Sequence, residues 1–159
     1  MSTIREQIVT AAVLALNTAR PSGVPVFIRT RIDSPTAAQL PANTVVQAGE
    51  VPEPIHPEAR QGQMVASRGP VIKSTVVIKV ETLTKATSSV PADSAADPSI
   101  EWAARALAAA GSLTNLAKRA PDRTGLAFEY AQSDCDYCRA TLTFEYQFQT
   151  RADDPSRKT

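Results

Sequence analysis

The chain is poor in aromatic residues, cysteine, histidine and net charge. Its 159 residues include two cysteines, one histidine and one tryptophan, and aromatics make up 5%. Two cysteines cannot build the disulfide framework of a small secreted domain, so a reducing cytoplasm is the default expectation. A net charge of +1 lacks the basic excess of a protein gripping nucleic acid by bulk electrostatics. Charged residues at 21% do not describe a charge-driven disordered chain. No run reaches the roughly 18 apolar residues that span a bilayer. The opening run carries Glu6 and Gln7 and repeats at helical spacing, which favours a helix over a secretory leader. No G-x-S-x-G, H-E-x-x-H, P-loop or G-x-G-x-x-G occurs. With so few aromatics, the core must come largely from Ala, Val, Ile and Leu.

What is present is regular. Thr3-Ile4-Arg5-Glu6 fits a capping box, and Ile4, Ile8, Ala11, Ala12 and Ala15 form a helical stripe ended by Pro21 and Gly23. Residues 24–32 alternate as a strand, with Val26, Ile28 and Ile32 on one side and Phe27, Arg29 and Arg31 on the other. A short strand is expected over residues 44–48. Residues 49–70, rich in proline and without a period, predict a long flexible loop. Residues 71–84 give the longest strand signal: Ile72, Val76, Ile78 and Val80 share one face, Lys73, Thr75, Lys79 and Glu81 the other. Asp97-Pro98 predicts a helix start with Asp97 as N-cap, and Gly111 its end. Residues 112–124 look irregular. Leu126, Phe128 and Tyr130 mark a further strand, and Leu142, Phe144, Tyr146 and Phe148 the cleanest one. Strands grouped in runs imply an α+β fold. The expectation is an antiparallel sheet of four to five strands with two helices on one face, in the order α-β-β-β-α-β-β. Residues 1–150 form a single domain, with the long loop between the second and third strands, and residues 151–159 form a charged tail.

Little of this is catalytic. Cys135-Asp136-Tyr137-Cys138 has redox spacing, but it lies in a hairpin loop beside Asp134 and Asp136, whose charge disfavours a thiolate. Zinc needs four ligands, and His56, the sole histidine, is distant in sequence. No catalytic residue, metal site or cofactor is expected. Arg29, Arg31, Lys73 and Lys79 place cations on non-core strand faces, with Glu81, Glu129 and Glu145 as acidic counterparts. Such a face is either simply solvated or salt-bridged to a neighbouring copy.

The layout resembles the tail terminator, or tail completion, proteins of long-tailed bacteriophages. The resemblance rests on Ile4-Arg5-Glu6-Gln7-Ile8, Arg29-Thr30-Arg31, Leu40-Pro41-Ala42 and Ser99-Ile100-Glu101-Trp102 with the helix that follows. It is strongest over residues 140–155, ATLTFEYQFQTRADDP. The resemblance implies a small α+β subunit, without enzymatic activity or cofactor, that closes into a hexameric ring. Such a ring caps the tail tube, ends its polymerisation and offers the head-joining surface. Its partners would be other copies of the chain, the tail tube protein and a head–tail connector protein. DNA would meet it only by passing through the lumen, and it would reside in the host cytoplasm before assembly and in the tail or neck of the virion afterwards. Arg29, Arg31, Lys73, Lys79, Glu81 and Glu145 then become candidate subunit-interface residues. Glu50, Glu53, His56 and Arg60 become assembly contacts in the long loop. A head-completion or neck connector, and a small cytoplasmic α+β ligand-binding or enzymatic domain, are the alternatives.

Overall fold

The first helix, α1 (Ile4–Asn17), starts where Thr3 Oγ accepts a hydrogen bond from the Glu6 N–H at 3.3 Å. Ile4, Ile8, Ala12 and Leu16, four residues apart, form with Val9 a buried stripe. The architecture comes from a computed structural model that describes residues 2–29, 35–55, 71–131, 136–151 and 154–158. The chain leaves α1 through Ala19, whose φ of 54° is left-handed. An L-residue is strained there and glycine is not. Ala19→Gly should therefore raise stability by about 0.5 kcal/mol after the unfolded-state entropy of glycine is counted, measurable by urea denaturation.

The described residues form an α+β fold with three α-helices and a mixed six-stranded sheet. The strands are β1 (Phe27–Arg29), β2 (Ala42–Ile55), β3 (Val71–Lys85), β4 (Asp122–Tyr130), β5 (Tyr137–Arg151) and β6 (Asp154–Lys158). The sheet order is β1-β2-β3-β5-β4, with β6 also beside β5. At the centre, β3 and β5, 15 residues each, pair from Val71↔Arg151 to Lys85↔Tyr137 without a break. At about 3.3 Å per residue they run for roughly 50 Å. The expected alternation holds on both: Val76, Ile78, Val80, Leu142, Phe144, Tyr146 and Phe148 are buried. Helices α1, α2 (Asp97–Ala109) and α3 (Gly111–Leu116) bring Ile8, Leu16, Ala103, Leu107 and Leu113 onto that face.

Several expectations are corrected. The sheet is mixed rather than antiparallel, because β1 pairs with β2 in parallel, Phe27 opposite Asn43. The dozen residues 30–41 between them suffice for the crossover a parallel pair requires. The buried residue of β1 is Phe27, while Val26 and Ile28 are exposed. Three consecutive apolar residues leave the phase of so short a strand undefined, and the Asn17 side-chain amide sets it. That amide accepts from the Phe27 N–H at 3.0 Å and donates to the Phe27 carbonyl at 2.9 Å. Residues 49–55, expected in the loop, continue β2 to Ile55, past a bulge between Gln47 and Gly49. The rest of the expected loop, residues 56–70 with His56 and Arg60, lies outside the described residues, as do Arg31 and Cys135.

The helices and the C-terminal segment also differ in detail. Ala96 takes the cap position of α2, so Asp97 sits in its first turn; the preceding 3-10 turn Ser94–Ala96 is capped by Asp93, which accepts from the Ser94 N–H at 2.8 Å. Gly111 opens α3 instead of closing α2, because Ala110 is extended and serves as boundary for both helices. The expected charged tail includes β6. Its Lys158 ammonium donates to the carbonyls of Asn115 and Ala117 at 2.9 and 3.0 Å, a favourable place for a cation at the C-terminal end of α3.

One core group lacks a partner. Tyr146 is fully buried and its hydroxyl has no hydrogen-bond partner among the described residues. Burial pushes its phenol far above the ordinary value of 10.0. A folded-state pKa raised in this way lowers stability once pH climbs through the unfolded value, and has no effect below it. Tyr146→Phe should therefore gain about 1 kcal/mol at neutral pH by removing an unsatisfied group. It should also flatten the loss of stability above pH 10.0, as followed by thermal melts across alkaline pH.

Candidate assembly surfaces

With all three helices on one face, the other face of the sheet is left bare among the described residues. Period two places Lys73, Lys79 and Glu81 of β3 on it, with Thr75 and Val77. Glu145, opposite Val77, joins them from β5, with Thr141, Thr143, Gln147 and Gln149. Four of the expected interface residues thus share one surface. Lys73 Nζ stands 3.8 Å from the Glu53 carboxylate across the β2–β3 pair, and Arg139 stands 3.7 Å from Glu129 across β4–β5. These are exposed cross-strand ion pairs, each worth at most about 1 kcal/mol. They give the bare face both signs of charge.

Two other expected contact residues are already engaged within the chain. Arg29 grips Glu6 of α1 with both guanidinium arms, one of them Nη2 to Oε2 at 2.8 Å. The Arg29 hydrogen bond draws the Glu6 carboxyl below its usual range and raises Arg29 in turn. That contribution is present above the ordinary glutamate value and lost as pH falls. Glu50 lies on the helix side of β2 and meets Arg5 of α1 at 3.5 Å. Both residues tie α1 to the sheet, so neither is available as a free interface group.

The structure adds two surfaces that sequence reasoning did not assign. The first is β4, an edge strand with eight of its nine residues exposed. Leu126, Phe128 and Tyr130 pair with Leu142, Ala140 and Cys138, and so point to the helix side. They remain 37%, 39% and 49% exposed, although the Tyr130 hydroxyl donates to the Asp93 carboxylate at 3.2 Å. The second is the far end of the β2–β3 ribbon, where Val51 and Ile55 lie exposed on the bare face, Ile55 opposite Val71. The first surface lies against the start of β5 and the second against the start of β3, across the sheet. The two patches therefore occupy diagonal corners, on opposite faces. The signal for the β4 patch was visible as alternation, but nothing in the pattern shows that this strand is an edge.

A shallow groove of about 330 Å³ between α1 and α2 is lined by Leu14, Ala15, Trp102 and Ala106, among others. Trp102 is held there by donating from its indole to the Leu16 carbonyl at 2.8 Å. No three His, Cys, Asp or Glu side chains converge as a metal site among the described residues. Cys138 is buried, and burial, followed by the charge of Asp93, pushes its thiol up and away from the reactive thiolate. No described helix is long and apolar enough to cross a membrane. No protein-family model matches the chain, and no curated protein matches it either.

Proposed function

We propose that the chain is a structural subunit of a phage tail, one that closes with copies of itself into a ring capping the tail tube. The ring would end tube polymerisation and present the head-joining surface. The observation that carries this reading is the pair of apolar patches at diagonal corners of one sheet, on opposite faces. A ring needs two different, complementary surfaces on each subunit, because a contact that uses one surface twice stops at a dimer. The α+β fold with one bare, mixed-charge face agrees with the resemblance of the closing strand and the first helix to tail terminators. No residue of the chain is assigned a catalytic role.

The test combines the purified protein with the phage that encodes it. Light scattering and negative-stain electron microscopy, with and without isolated tail tubes, should show rings with a central hole or caps on tube ends. Particles made without the chain should carry overlong, headless tails. Leaking or unjoined heads would move the protein to the neck. A compact monomer that ignores tail tubes would overturn the reading and favour a ligand-binding domain.

A further inference from the structure

We infer that the two corner patches mate with each other: the β4 stripe of one copy docks on the ribbon tip of the next. The inference rests on the ring reading and specifies its contact. The β4 surface presents Leu126, Phe128 and Tyr130, with Arg123 at one end. Arg123 is exposed and, opposite Phe144, lies on the same helix-side face. The ribbon surface presents Val51 and Ile55, with Glu53 between them on the same face; Glu53 is 67% exposed, and its 3.8 Å pair with Lys73 leaves most of the carboxylate open to a second cation. Apolar meets apolar, and a cation at the margin of one patch meets a carboxylate within the other.

The two edges explain why the contact has this form. A proline fits a paired strand where its missing N–H faces away from the neighbour. Pro52 and Pro54 lie in the part of β2 paired with β3. They strip hydrogen-bond donors from the outer edge of the ribbon, so a strand cannot simply add there. The ribbon must offer its face instead. Pairing of β4 with β4 of a second copy would hide one stripe and leave Val51 and Ile55 in water. Head-to-tail docking covers both patches with a single kind of contact. Five apolar side chains make a small interface, below the area usual for a stable dimer. Each contact is therefore weak, and closure of the ring supplies the stability, because the last contact forms intramolecularly. Free protein should pass from monomer to ring with little accumulated dimer.

Sedimentation velocity over a concentration series, with and without tail tubes, tests this on the full chain. Arg123→Glu and Glu53→Arg should each weaken assembly about tenfold; Arg123→Glu should leave the melting temperature unchanged, and Glu53→Arg should lower it by only a few degrees through loss of the exposed Lys73 pair. An equimolar mixture of the two variants should restore assembly, since each reversed group then finds a reversed partner. Phe128→Asp and Val51→Asp should each abolish assembly. If wild-type rings form but the mixture is not restored and Val51→Asp is silent, the contact is overturned while the ring reading stands. Sensitivity to Arg123→Glu alone, with a two-fold dimer as the largest species, overturns both in favour of β4–β4 pairing. A wild-type monomer at every concentration, with and without tubes, also overturns both.

Discussion

Replacing Phe144 with alanine should destabilise the protein by about 3–5 kcal/mol, enough to lower the melting temperature by roughly 10 °C or more. Phe144 is 2% exposed in the middle of β5, opposite Ile78 of β3. The loss has two parts: the transfer energy of the ring, and the cavity left behind. The second part is large here because the chain is short of aromatics. The helix layer facing the sheet offers Ala12, Ala103 and short aliphatic side chains, which cannot extend into the vacated volume. Phe128→Ala removes the same ring from an exposed place on β4 and should change stability by about 0.5 kcal/mol or less. Comparing the two in urea separates the side chains that hold the fold from those that offer a surface.

The second large effect belongs to a polar residue. Asn43 is fully buried in β2. Its side-chain NH₂ donates to the Pro25 carbonyl at 2.9 Å and to Ser99 Oγ at 3.2 Å, and its carbonyl accepts from Thr82 Oγ1 at 2.8 Å. One amide thus ties the segment before β1, strand β3 and helix α2 to the second strand. Asn43→Leu keeps the volume but leaves the Thr82 hydroxyl and the Pro25 carbonyl buried without this partner, at a cost of about 3 kcal/mol. Thr82→Val should cost about 1–2 kcal/mol, since it strands one acceptor. The double variant should lose less than the sum of the singles, because both break the same bond. Additive losses in denaturant melts would show that the network is not coupled.

How much of this was legible before the structure depends on range. The two-faced pattern of β3 and β5 and the stripe of α1 are local, and they emerged as expected, including the grouping of Lys73, Lys79, Glu81 and Glu145. The extent of β2 was hidden because Gly49, Pro52 and Pro54 read as loop punctuation, whereas an edge strand tolerates them. The roles of Arg29 and Glu50 depend on Glu6 and Arg5, 23 and 45 residues away in sequence, and no periodicity reports such a pairing. The apolar corners were hidden for a similar reason. Alternation shows that Leu126, Phe128 and Tyr130 share a side of a strand, but only strand order shows that this strand is an edge of the described sheet. The parallel β1 likewise follows from a crossover, not from its own three residues.

The order of strands in the sheet has a consequence in time. Strand β5 sits between β3 and β4 but is synthesised after both. Until it emerges, β4 has no partner among the described strands and β3 pairs only with β2, so the long edge of β3 that β5 will pair with stands open to water. The first half of the molecule can form its hairpin early, but the sheet closes only when the last long strand inserts between two that are waiting. Such distant pairings fold slowly, and the exposed interval invites aggregation. In a cell making many copies at once, the period of greatest risk is the one before β5 arrives. A chaperone holding the nascent chain should raise the yield of native protein more than any improvement to the stability of the finished fold.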